Sequence, residues 1–392
     1  MLPSSLNANP ENGVVVAGMA EIMAGEDFDP AFLEILQSSD KAIINWESFS
    51  IGEGETTRFN VPGAGSATLN RVTGADLSAI YGNLSSNGKL ILVNKNGIMV
   101  GPNGRIDAFG GFVGSTLDID DGDFMNGGDD VFMGMNDTGV TNFGTIISGG
   151  GDIILLGNFV DNQGTLGAVD GTIALGAGGD ILVSQAGEAR ISVRGGGPGG
   201  DVGINHAGEI RGGAVELKAH GNVYAQAINN SGLIRASGAS VDGNGRVILS
   251  ARSADGTSGG AVVNTGEMRA TNSDGSGGFI MIDAGAAGGA LDIDGVVNAN
   301  GLGNTPGGAI TLVGETIGFG SNAKVTANGS EGGVIIIGSP DDTTSISAAP
   351  GSVISANGSV GAGGSVIIAG NSDSVLTLGG TIEARGATTG GF

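Results

Sequence analysis

Asn230-Ser231-Gly232-Leu233-Ile234-Arg235-Ala236 and Asn264-Thr265-Gly266-Glu267-Met268-Arg269-Ala270 are the same unit written twice. The unit, G-x-I-x-A with an Asn two residues before the Gly, returns in shorter form. Its copies are Gly295-Val296-Val297-Asn298-Ala299, Lys324-Val325-Thr326-Ala327, Val353-Ile354-Ser355-Ala356 and Gly380-Thr381-Ile382-Glu383-Ala384. The closing alanines stand at 236, 270, 299, 327, 356 and 384, with spacings of 34, 29, 28, 29 and 28. A second unit, G-G-x-I-x-L, alternates with the first. It appears as Gly213-Ala214-Val215-Glu216-Leu217, Gly278-Phe279-Ile280-Met281-Ile282, Gly307-Gly308-Ala309-Ile310-Thr311-Leu312, Gly332-Gly333-Val334-Ile335-Ile336-Ile337 and Gly363-Gly364-Ser365-Val366-Ile367-Ile368. A weaker third strand, such as Ala290-Leu291-Asp292-Ile293, lies between some copies. Self-similarity at a fixed period marks a repeat architecture. Three short strands in each 28 to 34 residues predict one coil of a three-sided solenoid.

Side chains on a strand point in and out by turns. Within Ile382-Glu383-Ala384 the Ile and Ala therefore point inward and the Glu outward. Coils stacked about 4.8 Å apart bury one another's edges. Equivalent residues then form ladders. Asn162, Asn230 and Asn264, each two before a Gly, read either as a stacked amide ladder or as turn residues chosen for their backbone preference.

The composition agrees. Gly numbers 80 while aromatics make up 4% of the chain, too few for an ordinary globular core. Hydrophobic residues make up 40%, which excludes a disordered linker, and 9 Pro with irregular Gly spacing exclude collagen. No apolar run approaches a membrane span; Ile153-Ile154-Leu155-Leu156 stops at Gly157. The net charge of −24 argues against nucleic acid. Cysteine is absent, so no disulfide would obstruct export through a narrow pore.

The N-terminal part differs. Ten of the 13 Phe precede residue 160 and the single Trp is Trp46, which predicts a thicker core or a cap covering the exposed strand edges of a solenoid end. Asp27 to Gln37 reads as a short helix or an added strand. Met1-Leu2-Pro3-Ser4-Ser5 shows neither half of a signal peptide, so the numbering is expected to begin at a mature chain or at an added Met1. The last repeat is followed by no evident cap, so a longer native protein is expected.

From Lys41-Ala42-Ile43-Ile44-Asn45-Trp46-Glu47-Ser48-Phe49-Ser50-Ile51-Gly52 onward the chain resembles the secretion domain of filamentous haemagglutinin-type exoproteins, the cargo of two-partner secretion. The likeness continues through Phe59-Asn60-Val61-Pro62 and Leu69-Asn70-Arg71-Val72-Thr73-Gly74. It is strongest over Leu84-Ser85-Ser86-Asn87-Gly88-Lys89-Leu90-Ile91-Leu92-Val93-Asn94-Lys95-Asn96-Gly97-Ile98, and it ends near Ser115-Thr116-Leu117-Asp118-Ile119 and Asp123-Phe124-Met125-Asn126-Gly127. Where the family carries Asn-Pro-Asn-Gly, Lys95 stands in place of the proline; Asn96-Gly97 still favours a turn. The separate Asn-Pro-Asn-Leu motif that some branches of the family carry is absent. The resemblance implies an all-β, right-handed parallel β-helix (β-solenoid) with an N-terminal capping and secretion module. It divides the chain into a secretion domain at 1–125 and a β-helical stalk at 126–392. It implies a secretion motif at Asn45, Trp46, Phe49, Asn70, Arg71, Asn94, Lys95, Asn96, Gly97 and Ile98. It also implies an outer-membrane transporter with periplasmic binding domains as partner, and a secreted or outer-membrane-surface protein that passes through the periplasm.

Other chemistry is sparse. Asp118-Ile119-Asp120-Asp121-Gly122-Asp123 lacks EF-hand spacing and reads as a solvated turn, with calcium binding and carbohydrate cleavage as the alternatives. Gly149-Gly150-Gly151-Asp152 and Gly178-Gly179-Asp180-Ile181 read as corner turns, not as tandem calcium nonapeptides. His206 and His220 read as surface or turn residues in preference to a metal pair. Arg71 reads as a guanidinium satisfying loop carbonyls, or as a transporter contact. No cofactor and no enzymatic activity are expected. The functional expectation is an adhesin stalk or display filament that meets a host-cell or neighbouring-cell receptor or a glycan. A β-helical carbohydrate-active enzyme or lectin, and a structural matrix or biofilm protein, are the alternatives.

Overall fold

The computed structural model describes residues 9–23, 31–185, 189–196, 202–220, 226–239, 243–253 and 256–392. Met1 to Ser5, and the Asp27 to Pro30 portion of the ambiguous N-terminal stretch, lie outside them. The remainder of that stretch is a strand, Phe32–Gln37. The chain forms two compact units: Met1–Ser192 with Gly197–Gly199, and Val193–Gly196 with Gly200–Phe392. Each is an all-β parallel β-helix with three faces per coil.

In the first unit, one face stacks Phe32–Gln37, Thr56–Asn60, Asn83–Ser86, Arg105–Ala108 and Thr145–Ile147 in parallel register. A second stacks Lys41–Trp46, Ala67–Val72, Lys89–Val93, Gly111–Ser115 and Ile153–Gly157. The third stacks Ser78–Ile80, Ile98–Val100, Gly139–Asn142 and Phe159–Asn162. The first coil is covered as the aromatic bias predicts. Val14–Ala17 pairs antiparallel with Lys41–Trp46, and Ala20–Met23 antiparallel with Phe32–Gln37, so neither edge stays open to parallel stacking.

In-and-out alternation breaks down on the second face. Leu90, Ile91, Leu92 and Val93 are all buried, as are Ile153 through Leu156. A sheet covered on both sides is apolar on both. The cover is an excursion that leaves the coil after Ser115 and rejoins it at Gly139: Asp118–Ile119, a helix at Asp121–Asn126, and Asp130–Met133. Asp130–Met133 pairs antiparallel with Asp118–Ile119 and with Asp180–Val183. We call this excursion the flap.

The second unit follows the repeat. Leu233–Ala236, Glu267–Ala270, Val296–Asn298, Lys324–Thr326, Val353–Ser355 and Thr381–Glu383 stack on one face. Arg246–Ser250, Phe279–Asp283, Ala309–Val313, Val334–Ile337 and Ser365–Ile368 stack on the next. The weak third strand is real: Gln226–Asn230, Ala261–Asn264, Ala290–Ile293, Thr316–Phe319, Ser345–Ala348 and Val375–Leu378. Ile234, Met268, Val297, Val325 and Ile354 form one buried interior ladder, with Ala236, Ala270, Ala299, Ala327 and Ala356 beside it at the corner. Corner glycines permit the stacking: a Cβ on Gly266 would stand 2.2 Å from the Gly232 carbonyl oxygen.

Asn162, Asn230 and Asn264 take the amide-pairing alternative, Asn162 in one ladder and Asn230 with Asn264 in another. Asn142 donates to Asn162 at 2.7 Å in the first unit, and Asn230 to Asn264 at 2.6 Å in the second, all four side chains buried. Asn142 Oδ1 also accepts from the Gly144 N–H, which fixes the turn. His206 corrects the expectation of a surface or turn residue. It is fully buried and in register with Asn230. A flat imidazole with a polar nitrogen occupies the place an Asn amide takes in the coils above it. His220 follows the strand Glu209–Ala219.

Candidate functional site

The motif residues converge on the first four coils of the N-terminal unit, and most of them face inward. Trp46 ends its strand with the indole 1% exposed. Its Nε1–H donates to Asn70 Oδ1 at 2.9 Å, and Asn70, on the next coil, donates onward to the Ile91 carbonyl at 3.3 Å. Phe49 meets Trp46 edge-on, ring centroids 5.7 Å apart, and stacks on Phe59 at 6.5 Å. Gly13 leaves room for the indole; a Cβ there would stand 2.5 Å from Trp46. These residues plug the first coils. Asn45 pairs with Arg71 across the strands, and its buried Oδ1 accepts no hydrogen bond.

Asn94 to Gly97 form a tight turn closed by the Gly97 N–H on the Asn94 carbonyl at 3.1 Å. Gly97 has φ +116°, which suits glycine. The Asn94 side chain is fully buried. Its Nδ2 donates to the Asp76 carbonyl (2.9 Å) and to Ser78 Oγ (3.0 Å), while its Oδ1 accepts from the Asn96 N–H at 2.9 Å. Asn96 Nδ2 reaches the Gly74 carbonyl at 2.9 Å. Ile98 then enters the core between Ser78 and Val140. Lys95 alone in the turn is exposed, its carbonyl accepting from Thr138 Oγ1 at 2.7 Å.

Arg71 ties this region to the flap. Its Nε donates to Asp118 at 2.9 Å, its Nη1 pairs with Asp121 at 2.7 Å and its Nη2 donates to the Ile119 carbonyl at 2.7 Å. Burial lowers the guanidinium pKa, but the hydrogen bonds to Asp118 and Asp121 outweigh it and raise the value overall. The guanidinium thus takes one loop carbonyl and two carboxylates. The acidic run is a helix start and not a simple turn: Asp120 caps the helix by accepting from the Gly122 and Asp123 N–H groups. On the other side of the flap, Lys41 Nζ donates to the Phe124 carbonyl at 2.5 Å and lies 5.2 Å above the Phe124 ring. Burial holds Lys89 below the usual lysine value, against the pull of Asp130 and Asp152. Burial likewise raises Asp130, against Lys89 and Lys41. A cleft of about 530 Å³ opens where the turn, Arg71 and the flap meet, with Lys95, Met133 and Met135 on its walls.

The structure thus gathers Trp46, Phe49 and Asn70 in one core cluster and Asn94, Asn96, Gly97 and Ile98 in one turn, with Arg71 between them and the flap. Sequence reading missed Ser78, Thr138, Lys41 and Asn142, whose roles depend on partners 16 to 83 residues away or, for Asn142, on a corner outside the regular repeat. Gly149–Gly151 and Gly178–Gly179 occupy bends, as read, and Asp152 holds Arg190 at 2.8 Å.

The model of the TPS secretion domain family matches residues 32–264. The HMW1 secretion domain from Haemophilus influenzae superposes with a TM-score of 0.65 and 26% identity, over 98% of this chain and 94% of that one. Two heme/hemopexin-binding proteins of Haemophilus influenzae align. One, from strain ATCC 51907 / DSM 11121 / KW20 / Rd, is 29% identical over 251 residues, 62% of this chain and 27% of that protein. The other is 38% identical over 88 residues, 22% of this chain and 9% of that protein. The chain therefore spans about a quarter or less of the length of these relatives.

Proposed function

Because the chain belongs to the TPS secretion domain family, and so is the secretion domain of an exoprotein that leaves through an outer-membrane transporter, we propose that residues 1 to about 125 are the address the transporter reads while the chain is still unfolded. One observation carries this reading: Trp46, Asn70, Asn94 and Ile98 are each at most 2% exposed in the folded coil. A partner that reads these side chains must meet them before the coils close. Extended segments can pair with a strand edge of the transporter, a recognition mode in which main-chain hydrogen bonds give affinity and alternate side chains give specificity. Folding on the far side then buries the address and opposes return. The β-helix beyond it serves as an adhesin stalk or display filament at the cell surface, with no catalytic role.

The test is an export assay of residues 1–392 behind a signal peptide, with and without a transporter of the matching type. Transporter-dependent appearance in the medium is expected, and deletion of Asn94 to Ile98 abolishes it. Normal secretion of the deletion variant overturns the assignment of the turn. Binding of urea-unfolded residues 1–125 to the isolated periplasmic domains, with Asn94→Ala against wild type, separates recognition from folding.

A further inference from the structure

From the register of the second unit we infer an anionic-polysaccharide binding strip, centred on Arg235. Arg211, Arg235 and Arg269 are partners across adjoining parallel strands, so they stand in one column on consecutive coils. All three are exposed. Adjacent strands lie about 4.8 Å apart, so three guanidiniums line up along the stacking direction over about 10 Å. Like charges so close repel, and the chain has only 16 basic residues against 40 acidic ones. Two members of the column are relieved by a Glu two residues earlier on the same strand: Arg211 pairs with Glu209 at 2.7 Å, and Arg269 with Glu267. On the middle strand that position is Leu233. Among the described residues, Arg235 has no carboxylate partner.

The column continues through Asn298 and Thr326, both uncharged and able to hydrogen-bond. Beside it a groove of about 710 Å³ crosses successive coils, and Leu233, Glu267, Val296 and Lys324 follow one another along it. A linear polymer carrying an anionic group at regular intervals fits this geometry. It runs along the column, seats an apolar ring face on Leu233 and brings one anion to Arg235 on the same strand. Bidentate recognition of a carboxylate or sulfate is what a guanidinium does best. A broad anionic membrane fits poorly, because the three guanidiniums stand in a single column about 10 Å long and present a line, not a face. At physiological ionic strength the Debye length is about 8 Å, so the column acts on a bound polymer over short range despite the net charge.

This strip does not depend on the export reading; a protein secreted by any route would carry it. The test uses the full chain with two probes, heparin and polygalacturonate, by calorimetry at low and physiological salt. Salt-dependent binding to either polymer is expected. Arg235→Glu should weaken it by roughly tenfold or more, the scale of one lost charge-assisted hydrogen bond. Glu209→Gln with Glu267→Gln should tighten it severalfold by freeing the outer guanidiniums. Arg385→Glu, off the column and paired with Glu383, should leave it unchanged. All four positions are partly or wholly exposed, and circular dichroism checks that the variants fold. Binding to neither polymer, unchanged binding by Arg235→Glu, or binding to anionic vesicles in place of the polysaccharides would overturn the assignment.

Discussion

Asn70 meets the only polar atom of a fully buried indole, and nothing else described reaches the Trp46 Nε1–H. Asn70→Ala would leave that donor unsatisfied in the core, a cost of about 1–3 kcal/mol. Urea unfolding followed by Trp46 fluorescence measures it. Asn94 makes more bonds than Asn70 and should be at least as costly to truncate. Lys95 points the other way. It occupies the second position of a turn closed by Gly97 on Asn94, its N–H makes no hydrogen bond, and proline favours that position. Lys95→Pro should raise stability by about 0.4–1 kcal/mol by restricting the unfolded chain, as read from the same titration; a loss would show that the turn backbone is incompatible with proline. The turn itself was legible from Asn96-Gly97. The burial of Asn94 was not, because Ser78 and the Asp76 carbonyl come to it from the preceding coil.

The flap is held to the second face of its unit by two cations from earlier coils: Lys41 on the helix end and Arg71 on the helix start. Its sequence was read as a turn because six helical residues with one buried apolar side chain, Phe124, leave no period to detect. The double-sided burial of the second face was half visible, since Leu90-Ile91-Leu92-Val93 does not alternate. What covered it was not, for the anchors lie 50 and 83 residues upstream of their partners. Arg71→Met would free Asp118 and Asp121, which are already more than half exposed, so the global cost is small. Its effect should be local: faster amide exchange over 118–126 with little change elsewhere. Asp130 sets a pH dependence. Its folded pKa lies above its unfolded value, so proton uptake favours the folded state; that contribution is present at acid pH and is lost as pH rises through the folded pKa. At pH 7 the ionised carboxylate is therefore a burden, and Asp130→Asn should raise the thermal midpoint by about 1–2 °C. The difference should vanish near pH 3. A lower midpoint at pH 7 would mean that the attraction to Lys89 outweighs the burial.

The second unit was almost wholly legible, because each coil repeats its neighbour's solution and the period survives in the letters. The first unit was not, because its coils vary in length and its cap, plug and flap are each made once. The repeat makes a further claim testable. Residues 299–326 are one complete coil, from one corner alanine to the residue before the next. Excising those 28 residues joins Asn298 to Ala327 and keeps every ladder in register. Coils interact chiefly with their neighbours, so the shortened chain should fold with a thermal midpoint near that of the parent. Removing only 299–312 shifts faces against one another and should aggregate. The same coil has a mechanical side. Its 28 residues are about 95 Å of extended chain, and stacking them adds only about 4.8 Å of height. Net folding free energy of about 0.05–0.15 kcal/mol per residue amounts to about 1–4 kcal/mol per coil. Spread over that length of slack, a coil closing against a held chain reels it in with a tension of about 1–3 pN, a weak pull sustained over a long stroke. The glycine corners and the absence of cross-links make the protein a low-gear winch.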